Sequence, residues 1–260
     1  MTDTPAEVRY EVAAGIARIT IDREAARNAL SPGVIQGLLS GLKRAEDDAQ
    51  VRCVVLTGAG DRVFCAGGDL GGMSDGFLDG HEGRRAYGAL LLAFQQLKKP
   101  TVARINGHAL AGGLGLVLAC DLAVSTDAAG FGLPEIDRGL FPMMVLAFLQ
   151  RHVGRKRALE LLLTGDRLSA ARALEWGLVN QVVPAAELDT ATQALASKLG
   201  GKSLAILALG RRSFFTAEDL PLTQSVEFLA SQLSLNVLAD DAAEGVTAFL
   251  QKRPAKWGDR

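Results

Sequence analysis

The stretch from Thr101 to Ala119 limits what this chain can fold into more than any other. A β-branched run, Thr101-Val102-Ala103-Arg104-Ile105, stops at the turn dipeptide Asn106-Gly107. Small residues follow at Ala109, Ala111, Gly112, Gly113 and Gly115, and an apolar run over 116–119 comes next. That order reads as strand, tight turn and helix start, with glycine where the backbone must approach something closely. The first N–H groups of a helix lack intrahelical acceptors, so they are free to stabilise a developing oxyanion. A second strand over 122–125 leads to Phe131-Gly132-Leu133-Pro134-Glu135, which places one carboxylate downstream. Backbone donors paired with this carboxylate form the candidate active site.

The rest of the chain falls in place around it. Residues 8–12 and 16–21 alternate as a hairpin about Ala14-Gly15. Ser31 is an N-cap with Pro32 at the first helical position, opening a helix to Asp48. A buried strand covers 51–57, and the polar, glycine-containing segment 73–85 predicts a mobile loop. Leu90, Leu91, Phe94 and Leu97 share one face of a helix over 84–97. Helices are expected at 143–152, 156–163 and 169–176, the last capped by Ser169 and closed by Gly177. After a strand at 179–183 the pattern is helical alone, over 188–199, 204–215, 222–238 and 242–251. Strands alternating with helices, then helices only, define an α/β core with a helical C-terminal region.

Several chemistries are excluded by spacing. No Gly-Lys-Ser/Thr follows a glycine run, and the pairs Gly58-Ala59-Gly60 and Gly113-Leu114-Gly115 lack the third glycine of a dinucleotide fingerprint, ending on Val63 and Leu118. His81, His108 and His152 have no metal-ligand spacing, and no Gly-x-Ser-x-Gly elbow occurs. The formal charge of −1 argues against nucleic acid, although Arg151, His152, Arg155, Lys156 and Arg157 form one basic cluster. Cys53, Cys65 and Cys120 sit in apolar runs without a Cys-x-x-Cys pair, the pattern of buried thiols in a reducing compartment. With no apolar run long enough for a membrane span and no export-signal core at the N-terminus, the expectation is a cytoplasmic protein.

Five strings together resemble the crotonase (enoyl-CoA hydratase/isomerase) superfamily. They are Val63–Leu70, Asn106–Gly113, Ala119–Ala123, Phe131–Glu135 and Phe249–Arg253, in order and covering nearly the whole chain. The resemblance implies a spiral of ββα units over 1–199, carrying the CoA and active sites. It also implies a C-terminal helical trimerisation region over 200–260, in a homotrimer or dimer of trimers. Gly68 and Gly112 match the positions whose N–H groups polarise the thioester carbonyl of an acyl-CoA substrate. Ala26, Arg27, Ala66, Asp69 and Leu70 match CoA-contacting stretches, and Phe249 and Lys252 match positions reaching the adenine end, often from a neighbouring subunit. CoA belongs to the substrate, and no separate cofactor, metal or membrane partner is implied.

The chain departs from the family's hydratases at one point. They resemble each other in having two glutamates, and here only Glu135 is present, with Gly115 at the first position. A lone Glu135 fits an isomerase-type double-bond shift. An atypical hydratase, and a non-catalytic acyl-CoA-binding relative, stay open as alternatives. Residues 139–147 hold no acid, and Met143 and Met144 read as adaptable walls of an acyl pocket. Asp75, Asp79 and Glu82 could supply a second acid if the segment 73–85 folded inward.

Overall fold

The computed structural model describes residues 7–69 and 77–260. Its chain opens with strands β1 (Val8–Ala13) and β2 (Ile16–Ile21), paired antiparallel. Ala14 and Gly15 both take positive φ, 49° and 76°, the turn geometry whose twist matches the two strands. Helix α1 (Pro32–Asp47) starts where Ser31 Oγ accepts the Val34 N–H at 3.0 Å, and it buries Val34, Ile35, Leu38 and Leu42.

Three ββα units follow, each sending one strand to a large sheet and the next to a small one. The first is β3 (Cys53–Gly58), β4 (Val63–Cys65) and α2 (Phe77–Gln96). Next come β5 (Thr101–Ile105), β6 (His108–Leu110) and α3 (Gly112–Ala119). The third is β7 (Leu122–Thr126), β8 (Gly130–Gly132) and α4 (Met143–His152). Then α5 (Arg155–Thr164), β9 (Arg167–Ser169), α6 (Ala170–Trp176), β10 (Gln181–Val183) and α7 (Leu188–Gly200) complete the layers.

The large sheet runs β1-β2-β3-β5-β7-β10 and is parallel except for β1. Both faces are covered, as parallel sheets require. Ile19, Val54, Leu56 and Ala103 face the main core with α1 and α2, while Cys53, Val55, Val102 and Val124 face α7. The small sheet runs β4-β6-β8-β9, with the first three strands parallel.

Helices α8 (Leu204–Ala217), α9 (Leu222–Val237) and α10 (Asp240–Leu250) follow. Arg211 of α8 anchors this group: its guanidinium meets Asp121 at 2.7 Å and donates to the Phe94 and Leu97 carbonyls. Asp121 in turn accepts the Thr101 N–H at 2.7 Å, joining α8 to β5.

One expectation needs correction. Residues 77–85 are the first turns of α2 rather than loop, and the stripe Leu90, Leu91, Phe94 extends back through Tyr87 into the core. Strands β4, β6, β8 and β9 are too short, at three residues each, for alternation to announce them.

Candidate active site

The small sheet assembles the site, because its three parallel strands all deliver their C-terminal ends to one place. From β4 the chain passes to Ala66–Asp69, from β6 to Ala111–Gly112, and from β8 to Leu133–Glu135. Backbone bonds tie the first two segments to their surroundings. Ala66 N donates to Arg27 O at 3.1 Å, and Ala111 N donates to Gly132 O at 2.9 Å.

The two backbone donors are oriented by their neighbours. Leu30 bridges to Gly68 in parallel fashion, its N–H going to Gly67 O at 2.8 Å and its carbonyl accepting from Asp69 N at 3.1 Å. In such a bridge the N–H of the middle residue, Gly68, points to the opposite side. Ala111 holds φ 52° and ψ −130°, a costly conformation for a residue with a side chain. That twist turns the next N–H, of Gly112, out of the sheet at the start of α3, where no intrahelical acceptor exists. The two turns touch. A Cβ on Gly67, whose φ is +93°, would lie 3.0 Å from Gly112 N and overlap the Ala111 methyl.

Glu135 leads into a single turn of 3-10 helix, Ile136–Arg138. Its Oε2 is buried and, among the described residues, has no hydrogen-bond partner. Burial pushes this carboxyl above its ordinary value, with its own backbone N–H and the Arg138 charge opposing. Cys65 lies in the neighbouring wall, but burial drives its thiol up to about 12, so it is no nucleophile.

The other expected residues divide. Ala26 and Arg27 are exposed in the turn after β2, and Arg27 takes the left-handed conformation that closes it. Asp69 is held by Arg23 Nη1 at 3.0 Å. Leu70 and Asp75 lie outside the described residues, as does the side chain of Asp79, whereas Glu82 is on the exposed side of α2. The idea of an inward-folding acid fails for Glu82. Met144 packs on the core beside Gly88, but Met143 is 67% exposed and lines no wall within this chain. Phe249, 81% exposed, and Lys252 are at the end of α10, which packs on α8 and α9. Two members of the basic cluster form ion pairs: Arg151 meets Asp219 at 2.7 Å, and Arg157 meets Glu175 at 3.2 Å. Among the described residues no group of three or more His, Cys, Asp or Glu could hold a metal.

Sequence reasoning missed two residues here. Asn28 is buried in a left-handed conformation and donates to Ala59 O at 3.0 Å and Val63 O at 2.7 Å, tying the turn after β2 to β4. Tyr87 reaches from α2 to donate to Gly112 O at 2.7 Å. Its spacing from Leu90, Leu91 and Phe94 was the available signal.

A spiral of ββα units carrying two strand-to-helix glycine turns in contact with each other is the fold of the crotonase class. The sequence model for enoyl-CoA hydratase/isomerase matches residues 11–260, and the chain belongs to that family, whose substrates are acyl-CoA thioesters. The chain is 36% identical over 245 residues to enoyl-CoA hydratase domain-containing protein 3, mitochondrial, of Xenopus laevis, covering 94% of this chain and 83% of the relative. It is also 36% identical over 250 residues to enoyl-CoA hydratase EchA19 of Mycobacterium tuberculosis, covering 93% and 92%. The crystal structure of an enoyl-CoA hydratase from Bacillus anthracis superposes with a TM-score of 0.93 at 30% identity, over 98% of this chain and 100% of that one.

Proposed function

We infer that the protein shifts a double bond along the acyl chain of an enoyl-CoA, with Glu135 as the one acid–base group. The observation that carries this reading is the buried Oε2 of Glu135, unpartnered among the described residues, in a chain where position 115 is glycine. A carboxyl raised by burial takes a proton and returns it with little driving force lost either way. As carboxylate it removes a C2 proton from a 3-enoyl thioester, and the electron pair moves onto the thioester oxygen as a dienolate. The Gly68 and Gly112 N–H groups face that oxygen, and such donors are worth roughly 10²–10³ in rate each. The same carboxyl then delivers its proton to C4, leaving the double bond between C2 and C3. Atoms balance, and no water is consumed.

CoA would lie across Ala26, Arg27, Ala66 and Asp69, with Phe249 and Lys252 reaching a neighbouring copy's adenine end in a homotrimer or dimer of trimers. Exposed Leu222, Leu238 and Phe249 on α9 and α10 support burial against further copies. Water addition is a second reading, favoured by relatives that are named hydratases. Assays of 3-enoyl-CoA isomerisation and of 2-enoyl-CoA hydration separate the two. Isomerisation alone, reduced about 10²–10⁴-fold by Glu135→Gln, is the expected result. Hydration without isomerisation would falsify the reading.

A further inference from the structure

Helix α2 brings one polar group to the site that the reaction above leaves unused. Tyr87 is 8% exposed, and its Oη donates to the carbonyl of Gly112, the residue whose N–H faces the oxyanion. A Cβ on Gly115 would overlap that same Oη and come within 3.0 Å of Val145 Cγ2. The phenol therefore fills the volume that a side chain at 115 needs. Burial holds Tyr87 protonated well above its usual range, with Cys65 and Glu135 adding to the effect.

We propose that Tyr87 is a positioning residue that fixes the Gly112 donor and, by filling the space over Gly115, directs the site to proton transfer rather than water addition. Two contacts carry this: the 2.7 Å bond to Gly112 O and the overlap with any side chain at 115. A donor fixed in advance needs no reorganisation when charge develops on the thioester oxygen. Water addition asks for a second group: the water oxygen bonds to C3 and keeps one hydrogen as the hydroxyl, its other proton leaves as one proton is delivered to C2, and a group besides Glu135 must hold that water over C3. An acid at 115, where the family's hydratases carry their first glutamate, is the group that would do that. The phenol in its place already donates its proton to Gly112 and has no capacity as a base near neutral pH. The inference rests on Glu135 as the acid–base group of the proposed reaction.

The test compares wild type, Tyr87→Phe, Gly115→Glu, and the doubles Tyr87→Ala/Gly115→Glu and Tyr87→Phe/Gly115→Glu. Each is first checked for a cooperative melt and for binding of a saturated acyl-CoA. Double-bond migration on a 3-enoyl-CoA and water addition to a 2-enoyl-CoA are then measured. Tyr87→Phe is expected to lower kcat for migration about tenfold with KM changed less than about twofold, the signature of a lost transition-state contact. At least one folded double variant should add water about tenfold or more faster than Gly115→Glu alone. Equal hydration in the single and double variants overturns the space-filling role, and an unchanged kcat in Tyr87→Phe overturns the anchoring role. A wild type that moves no double bond sinks the proposed reaction instead, while the single-against-double comparison still decides what Tyr87 does.

Discussion

Strands β3 and β4 follow each other in the chain yet join sheets built on different terms. Strand β3 has six residues, all buried, and is paired on both edges inside the large sheet. Strand β4 has three and pairs with β6 through an irregular register. The large sheet is held by burial on both faces, with Ile19 and Leu56 against one core and Val55 and Val102 against the other. The small sheet sends Phe64 and Phe131 into the same main core, but its short strands also rely on cross-links: Asn28 to Val63 O, Ala111 to Gly132 O, and Leu30 to Gly67 O. The candidate site thus lies at the sheet with the shorter strands and the extra cross-links. The site can carry the strained Ala111 and the desolvated Glu135 because the long strands supply the stability.

Perturbing the large sheet should give the largest loss of stability. Ile19, fully buried on β2, is expected to cost about 2–5 kcal/mol when replaced by Ala, read as a lower denaturant midpoint. Turnover per folded molecule should stay at the wild-type value, and a matching loss of kcat would dissolve the distinction between the sheets. In the small sheet, Gly67→Ala sets a methyl against Ala111 at φ +93°. It should destabilise by only about 1–3 kcal/mol. Its turnover should nevertheless fall about tenfold or more, because the Gly112 donor moves with Ala111.

The smallest effect is expected in the pH dependence of stability. Glu135 is raised above its ordinary value in the folded chain. At acid pH it is protonated whether folded or unfolded, and its contribution is then fully present. As pH rises through the raised value the unfolded chain ionises first, so that contribution is lost. Glu135→Gln should therefore match wild type at low pH and become the more stable of the two above the raised value. A stability difference that is flat with pH would show that the carboxyl is not desolvated.

Residues close together in the chain wrote their structure legibly. Ala14-Gly15 specified the hairpin, Ser31-Pro32 the start of α1, and Ser169 with Gly177 both ends of α6. Each is settled by local dihedral preference or a local hydrogen bond, which depend on a few neighbouring residues. The alternation of strands and helices settled the α/β class, and the glycine turns with Glu135 marked the candidate site. Tertiary structure decided the rest. Three-residue strands exist only because β6 lies between β4 and β8, so their ladders come from partners more than twenty positions away. The first turns of α2 form from a polar segment, in continuity with a helix whose Tyr87, Leu90 and Phe94 are buried. That Tyr87 fills the space over Gly115 is likewise a meeting of two helices, and no periodicity within either one encodes it. Local energies fix which element a segment forms, whereas the contents of the site depend on which elements pack together.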